Sequence, residues 1–254
     1  MTNTMFNIFK KFRGIPSGSK SDKIIAQTRD NYNIIAKHFS DTRKTSWPEF
    51  ERYKEFVKDG QNILDWGCGN GRFFSVIKNK KIRYFGVDIS QGLLNEANKE
   101  FTREIENGKA HFICSDCENL EFPRDFFDVV FMIASFHHLP DKKTRLKLLE
   151  EVFEKMKSGG KLVISVWNLK TDWAKKKLKT PGWSVKGKNE FYVPWKNQNG
   201  EILTTRYYHS FSKVELKDLV EKSGFKVLKL EFVKNNNWSD ENGGRNLILI
   251  AEKK

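Results

Sequence analysis

The sequence predicts an α/β protein built on a doubly wound, mostly parallel sheet. Between residues 62 and 167, five short apolar segments alternate with helical segments, and such alternation is typical of parallel strands joined by right-handed crossover helices. A glycine loop, Asp65–Gly71, follows the first apolar segment. Two further apolar segments lie near the end of the chain, and we expect them to close the sheet with an antiparallel edge strand.

The start of the chain precedes this pattern. We expect residues 1–20 to form a flexible tail, because they end in the turn-rich stretch Gly14–Ser19. Apolar residues then recur at helical spacing from Asp22 to Phe39, and a second short helix is expected after Trp47-Pro48. Residues 21–254 are long enough for a single domain with one core.

The predicted elements from residue 62 onward follow in order. The strands are Asn62–Asp65, Ile82–Val87, Ala110–Cys114, Phe126–Ala134, Lys161–Trp167, Glu201–Tyr208, Phe225–Val233 and Leu247–Ala251. The helices are Arg72–Lys78, a helix that follows the N-cap residue Ser90, Lys142–Met156 and Lys213–Lys222. A Lys- and Trp-rich stretch interrupts the pattern, and we interpret it as an insertion at about residues 169–200, over the active face.

Charge and cysteine content restrict the partners and the compartment. The formal net charge is +14, which favours a polyanionic partner such as nucleic acid, although a Lys-rich composition alone would give the same value. The three cysteines, Cys68, Cys114 and Cys117, indicate a reducing compartment, and we expect a cytoplasmic protein. Cys114 and Cys117 have no second pair at metal-site distance, so we predict no metal. No apolar run is long enough to span a membrane.

The glycine loop lies between a strand and a helix, where bare backbone and helix N–H groups face a ligand. It has glycines at 67, 69 and 71 and an acid, Asp65, two residues before the first of them. The dinucleotide fingerprint would require a further glycine at the position of Arg72. NAD(P) binding is therefore the weaker alternative.

This loop resembles the S-adenosylmethionine (SAM) loop of class I methyltransferases. The resemblance implies a seven-stranded Rossmann-like sheet with an antiparallel last strand, N-terminal helices and an inserted lid. It also implies that Asp65 binds the SAM ammonium, that Asp88 accepts both ribose hydroxyls, and that Asp116 and Cys117 contact the adenine. The cofactor-binding residues expected on this basis are Asp65, Gly67, Cys68, Gly69, Gly71, Asp88, Ile89, Asp116, Cys117 and Ala134.

Five further segments resemble one methyltransferase family, the tRNA wobble-uridine carboxymethyl methyltransferases of fungi and the methyltransferase domain of their animal AlkB-type relatives. The segments are Tyr32–Arg43, Phe136–Leu139, Val166-Trp167, Tyr192–Trp195 and Arg206–His209. Members of that family methylate the carboxylate of 5-carboxymethyluridine at the tRNA wobble position. The resemblance therefore implies tRNA as partner, and it raises a small zinc-binding activator protein as a second one.

The predicted chemistry needs little from the protein beyond positioning. A carboxylate with a pKa of about 4 is already ionised at neutral pH, so no general base is required. Arg43 and Arg206 are the candidates for holding the carboxylate or a neighbouring phosphate, since a guanidinium contacts oxyanions through two parallel hydrogen bonds. His138 joins them as a candidate catalytic residue, and the expected substrate-binding residues are Trp195, Tyr207 and His209.

Structural roles remain open for several of these residues. Arg206 could pair with Glu201 or Glu231 on a neighbouring strand, Trp195 could pack as a lid residue, and His138 could form part of the pocket wall. A small-molecule O- or C-methyltransferase of the same fold is the alternative function, because fold does not determine function. A non-catalytic RNA-binding protein is a third hypothesis, which the intact glycine loop disfavours. The polar stretch Asn237–Asn246 is longer than the family resemblance would suggest.

Overall fold

The structure, a computed structural model, describes residues 18–43, 45–115 and 122–254. Its helices are α1 Lys20–Thr42, α2 Glu49–Lys54, α3 Phe74–Ile77, α4 Gln91–Glu100, α5 Thr102–Glu106, α6 Lys142–Lys155, α7 Asp172–Lys177 and α8 Lys213–Lys222. Its strands are β1 Asn62–Trp66, β2 Arg83–Asp88, β3 Ala110–Cys114, β4 Phe127–Ile133, β5 Met156–Trp167, β6 Ser184–Lys186, β7 Glu190–Lys196, β8 Ile202–His209, β9 Phe225–Lys234, β10 Asn237–Ser239 and β11 Asn246–Lys253.

Eight strands form the main sheet, in the order β10-β9-β11-β5-β4-β1-β2-β3. The contacts among β1 to β5 are parallel, whereas β11 is antiparallel to both β5 and β9. The predicted fold class is thus confirmed, and the short strand β10 adds an eighth strand to the seven expected.

The sheet ends in antiparallel strands, as expected, but the last strand of the chain is not its edge. β11 lies inside the sheet, between β5 and β9, and β10 forms the edge. The reason is composition: residues Leu247–Ala251 are all buried and apolar, which suits a strand covered on both faces. β10 is short and mostly exposed, as edge strands commonly are.

Helices cover both faces of this sheet. Consecutive residues of a strand point to opposite faces, and Ile63 and Leu64 of β1 accordingly belong to different apolar clusters. One cluster contains residues of α6 and α8, and the other contains residues of α2, α3 and α4. The chain segments that follow the carboxyl ends of β1, β2 and β4 therefore lie at one edge of a rigid, fully covered sheet.

Helix α1 connects the main sheet to the rest of the molecule. A capping box formed by Ser19 and Asp22 starts it. Asn33 Oδ1 accepts hydrogen bonds from Ser90 Oγ and Gly92 N at the start of α4, at 2.8 and 2.9 Å. On the other side of the same turn, Asn31 Nδ2 donates to a backbone carbonyl of β8 at 2.8 Å. These polar contacts hold α1 across the edge at which the strand carboxyl ends lie.

The predicted insertion contains a second, three-stranded sheet in the order β6-β7-β8. This sheet continues to His209, past the end of the stretch expected at about residues 169–200, and the division of the chain into tail, domain and insertion stays a prediction. Of the predicted tail, residues 1–17 lie outside the described residues. Among the residues described, none of the helices is both long and apolar enough to span a membrane.

Candidate active site

A cavity opens at the carboxyl ends of β1, β2 and β4. Its walls come from the glycine loop, from the segments after β2 and β4, and from side chains of α1, β7 and β8. Ligands of open α/β sheets bind at this edge because the loops there are free of the sheet's hydrogen bonding. The predicted site residues that line the cavity are Arg43, Asp65, Gly67, Cys68, Gly69, Asp88, Ile89, Ala134, His138, Trp195 and Arg206.

Gly67 begins the loop in a conformation that side chains rarely adopt. Its φ is +76°, and a Cβ at this position would overlap the side chain of Ser135. Ser135 in turn donates from Oγ to the carbonyl of Trp66 at 2.8 Å, which joins the segment after β4 to the end of β1. The absence of a Cβ at Gly67 therefore allows the two chain segments to come together at the cavity floor.

Asp65 has one free carboxylate oxygen. Its side chain is buried, with 2% exposed, and Oδ2 accepts a hydrogen bond from the Tyr84 hydroxyl at 2.7 Å. Oδ1 has no hydrogen-bond partner among the described residues. Burial raises the pKa of this carboxyl to about 7, against the lowering effect of the Tyr84 hydrogen bond. A buried acceptor without a donor fits an ammonium group, such as that of SAM.

Asp88 is held by backbone at the end of β2. Its Oδ2 accepts from Gly69 N and its Oδ1 from Ser90 N, both at 2.8 Å. Burial raises the pKa of the carboxyl to about 6, and these hydrogen bonds limit the rise. Each oxygen keeps a further lone pair, so the rigidly oriented carboxylate fits two adjacent hydroxyls such as those of a ribose.

Of the remaining predicted cofactor residues, Ala134 lines the cavity and Gly71 does not. Gly71 is not part of the cavity lining: a Cβ there would lie 2.6 Å from Phe101 Cε2, so this glycine allows the chain after the loop to pack against the core. Ala134 lines the cavity with a φ of +51°, a strained value for a residue with a side chain. Asp116 and Cys117, predicted at the adenine, lie outside the described residues.

Arg206 and Arg43 meet at the other end of the cavity. The Arg206 side chain is buried, with 4% exposed, and its Nε has no hydrogen-bond partner among the described residues. Both guanidinium groups approach the ring of Trp195, at 4.8 and 4.9 Å from its centroid. Burial and the charge of Arg206 lower the pKa of Arg43. No described acidic side chain lies within 4.0 Å of either group, so Arg206 does not form the alternative pairing with Glu201 or Glu231.

His138 is fully engaged in orienting Arg206. Its Nδ1 lies 2.7 Å from the carbonyl of Tyr207, which can only accept, so Nδ1 carries the proton. Burial lowers the pKa of this imidazole to about 3, and the neutral ring therefore accepts at Nε2 from the Tyr32 hydroxyl at 2.9 Å. The Tyr32 oxygen accepts in turn from Arg206 at 3.4 Å. His138 thus positions the Tyr32 and Arg206 side chains.

Alternate side chains of β8 point into the cavity and away from it. Arg206 and Tyr208 line the cavity, whereas Tyr207 donates from its hydroxyl to the carbonyl of Pro140 at 3.1 Å, outside the cavity. His209 likewise lies outside and contacts Glu215 at 2.7 Å. The structure therefore does not bring Tyr207 and His209 to the predicted site. Strand alternation from Arg206 would have selected Tyr208 instead.

Trp167 and Arg72 also line the cavity but were not selected as site residues from the sequence. Trp167, at the end of β5, stacks on Tyr208 with ring centroids 4.9 Å apart. Arg72 donates from Nε to the carbonyl of Thr45 at 3.0 Å, and burial, followed by the charge of Arg43, lowers its pKa to about 10. Tyr32, which begins the segment Tyr32–Arg43 of the family resemblance, lines the cavity as well. For Arg72 the signal was present, since an arginine directly follows the glycine loop.

Comparisons with known proteins agree with this geometry. A family model described as a methyltransferase domain matches residues 40–230. The chain is 31% identical over 240 residues to the tRNA (carboxymethyluridine(34)-5-O)-methyltransferase of Schizosaccharomyces pombe, which covers 87% of this chain and 94% of that protein. It is 34% identical to the tRNA (carboxymethyluridine(34)-5-O)-methyltransferase alkbh8 of Xenopus tropicalis over 58% of this chain, and it spans only 22% of that relative.

Among solved structures, the chain resembles a methyltransferase of Haloferax volcanii in complex with the Trm112 methyltransferase activator. The TM-score is 0.63 at 17% identity, and the match covers 89% of this chain and 96% of the other. That likeness shows a shared fold, while the family follows from the sequence matches. The chain therefore belongs to the SAM-dependent methyltransferases and, within them, to the family of the tRNA carboxymethyluridine methyltransferases.

Proposed function

We propose that this protein methylates the carboxylate of a carboxymethyl-type modified uridine at the wobble position of tRNA. The observation that carries the proposal is the pair Arg206 and Arg43, two guanidinium groups in one cavity with no described acid within 4.0 Å. A buried cation without a counter-ion is costly, and an anionic acceptor would neutralise it. The name of the relative from Schizosaccharomyces pombe, tRNA (carboxymethyluridine(34)-5-O)-methyltransferase, gives such a uridine as its substrate and supports the proposal.

SAM would lie along the carboxyl ends of β1 and β2. Its ammonium would bind the free Oδ1 of Asp65, and its ribose hydroxyls would bind Asp88, with Gly67, Cys68 and Gly69 supplying backbone contacts. When bound, SAM supplies an electrophilic methyl group on a sulfonium. Ile89 and Ala134 would border the cofactor along the same wall.

The acceptor carboxylate would then lie between the cofactor and Arg206. Arg206 would hold and orient the carboxylate from its unpaired Nε and a second guanidinium nitrogen, the two-pronged contact that arginine makes with carboxylates. The buried wall of Trp195, Tyr208 and Trp167 excludes water from the carboxylate, which strengthens each electrostatic contact there. Because the acceptor is already ionised, no side chain needs to remove a proton, in accord with the fully engaged His138.

Arg43 would contact a second anion of the same substrate. It is only half-buried. In addition to burial, the charge of Arg206 contributes to lowering the pKa of Arg43, and the charge of Arg43 contributes to lowering the pKa of Arg72, so the three guanidinium groups are neighbours. A nucleotide offers a phosphate at a short distance from its base, whereas a neutral small molecule offers none. This arrangement favours a nucleic-acid acceptor over the small-molecule alternative.

The proposal is tested by the reaction itself. Purified protein, labelled SAM and carboxymethylated tRNA from cells that lack the final methylation step are incubated, and the nucleosides are then analysed by mass spectrometry. We expect a methyl ester that disappears on mild alkaline hydrolysis. Transfer to a different nucleoside would refute the carboxylate acceptor, and SAM binding without transfer to any tRNA would favour a small-molecule acceptor.

An activator subunit is a further part of the proposal. The Haloferax volcanii structure of the same fold is a complex with the Trm112 methyltransferase activator, and a small zinc-binding protein would take that place here. The thiols of Cys68 and Cys114 suit a reducing compartment, and we place the protein in the cytoplasm. Co-expression with the candidate activator should raise the activity and the soluble yield together.

A further inference from the structure

Two tryptophans of the inserted segment, the exposed Trp173 and the half-buried Trp183, pack against each other. Trp173, in α7, is 42% exposed, and its ring lies nearly perpendicular to that of Trp183, with centroids 5.8 Å apart. Exposure of a large flat ring is unfavourable in water unless a partner covers it. Trp183 leaves part of the Trp173 ring open to solvent.

Positive charge surrounds this ring from two distant parts of the chain. Residues 170–188 contain seven lysines and a single acid, Asp172, and among the described residues only Lys175 of the seven has an acidic partner within 4.0 Å. Lys177 Nζ and Arg245 Cζ each lie 5.9 Å from the Trp173 ring centroid. Arg245 belongs to the polar stretch that the proposed methyl transfer leaves without a role.

Trp183 connects the exposed ring of Trp173 to an apolar cluster that includes part of the cavity wall. Trp183 packs in a cluster with Tyr208 and Trp167, and these last two residues line the cavity. The cluster therefore includes side chains that line the cavity and also Trp183, whose ring contacts that of Trp173. An RNA strand whose target base entered the cavity would pass close to this cluster.

We propose that Trp173 is a stacking platform for an unpaired base next to the methylated nucleotide, and that the surrounding lysines contact the flanking phosphates. The proposal rests on the RNA substrate of the proposed function and adds where the RNA lies. Single-stranded nucleic acid is bound by aromatic rings within a positively charged surface, which is the combination found here. An apolar peptide would use the ring but not the unpaired lysines.

The experiment compares Trp173→Leu with Trp173→Phe, because leucine keeps apolar bulk and removes the flat ring. Binding is measured to an anticodon stem-loop RNA that carries carboxymethyluridine and has 2-aminopurine at the adjacent position. Loss of one stacked base corresponds to about 5- to 150-fold weaker binding. We expect this loss for Trp173→Leu, with a raised KM for RNA and an unchanged kcat and SAM affinity. Trp173→Phe should restore most of the binding and the 2-aminopurine quenching.

Trp238 provides a matched control. It is 41% exposed and lies between Arg52 and Lys229 at 3.9 and 3.8 Å from its ring centroid, but it belongs to the edge strand β10. Trp238→Leu should leave RNA binding unchanged, and an equal loss there would overturn the platform. Wild-type binding by Trp173→Leu would also overturn it while leaving the proposed function intact. Failure of the wild-type protein to methylate the RNA would instead refute the proposed function.

Discussion

At the scale of single residues, we expect substitution of Arg206 to impair methyl transfer without changing cofactor binding. We expect Arg206→Ala to bind SAM normally and to lose about a hundredfold or more in kcat, since two charge-assisted hydrogen bonds to the carboxylate are removed. Arg206→Lys should recover little, because an ammonium lacks the planar pair of donors. The measurements are SAM titration by calorimetry and single-turnover methylation. Full activity of a folded Arg206→Ala protein would contradict the assignment.

Asp65 and Asp88 should give SAM binding a pH dependence. Burial raises the pKa values of these carboxyls to about 7 and about 6, and each protonated carboxyl is a poorer acceptor for the ammonium or the ribose hydroxyls. SAM affinity should therefore fall as the pH decreases from 7, by up to about tenfold per pH unit for each carboxyl that becomes protonated. Calorimetry between pH 5 and 8 measures this, and Asp88→Asn should bind weakly with a shallower dependence below pH 6.

The stability of the SAM-free protein should change in the opposite direction. Both carboxyls have a higher pKa in the folded protein than in the unfolded chain, so the folded protein binds more protons between about pH 4 and 7. These two groups therefore add stability as the pH decreases through that window, and the gain is lost as the pH rises through 7. Denaturant unfolding of the wild type and of Asp65→Asn would reveal the difference. An identical pH slope in the two proteins would contradict the raised pKa.

At the scale of elements, α1 joins the two ends of the site. Asn31 is buried and bonds to both Thr204 and the backbone carbonyl of Thr205 on β8, the strand that carries Arg206. Asn31→Ala leaves these buried groups without partners, and we expect the free energy of unfolding to fall by about 1–3 kcal/mol. Asn95→Ala, on the exposed face of α4, is the control and should change it little. Equal stability of the two variants would show that α1 is not held through Asn31.

Local sequence pattern predicted the ends of several helices and strands but not the order of the strands in the sheet. Ser90 caps α4 as expected, because an N-cap acts within one helical turn, and β3 and α8 have the predicted bounds. The location of β11 inside the sheet was not predictable in this way. β11 lies between β5 and β9 because both of its faces are buried there. That burial depends on β5, which is distant in the chain, and no local pattern shows it.

At the scale of the whole molecule, the net charge of +14 should make RNA binding depend on salt. We expect tRNA affinity to fall steeply with ionic strength and SAM affinity to change little. Replacement of Lys175, Lys176, Lys177 and Lys179 by alanine should weaken binding and flatten the slope by up to about 0.7 per lost phosphate contact. Filter binding between about 50 and 200 mM salt measures the slope.

A charge-matched variant is the control for that experiment. Lys54, Lys58, Lys80 and Lys81 precede β1 and β2 in the chain, toward the strand amino ends and away from the cavity. Their replacement by alanine should leave the salt slope close to that of the wild type. Equal flattening by both quadruple variants would indicate that the charge acts through the whole surface and not through the inserted segment.

The sequence by itself determined the fold class, the glycine loop and the carboxylates Asp65 and Asp88. These follow from strand periodicity and from residues within one strand-loop-helix unit, where a few adjacent positions define the geometry. Family resemblance suggested Arg43 and Arg206 for the acceptor end, but tertiary structure decided which side chains meet there. Arg43, Arg72 and Arg206 come from three separate segments, and which side of β8 faces the cavity is set by its pairing with β7. A shift of one residue in that pairing would exchange Tyr207 for Tyr208 at the site, so only the folded chain defines it.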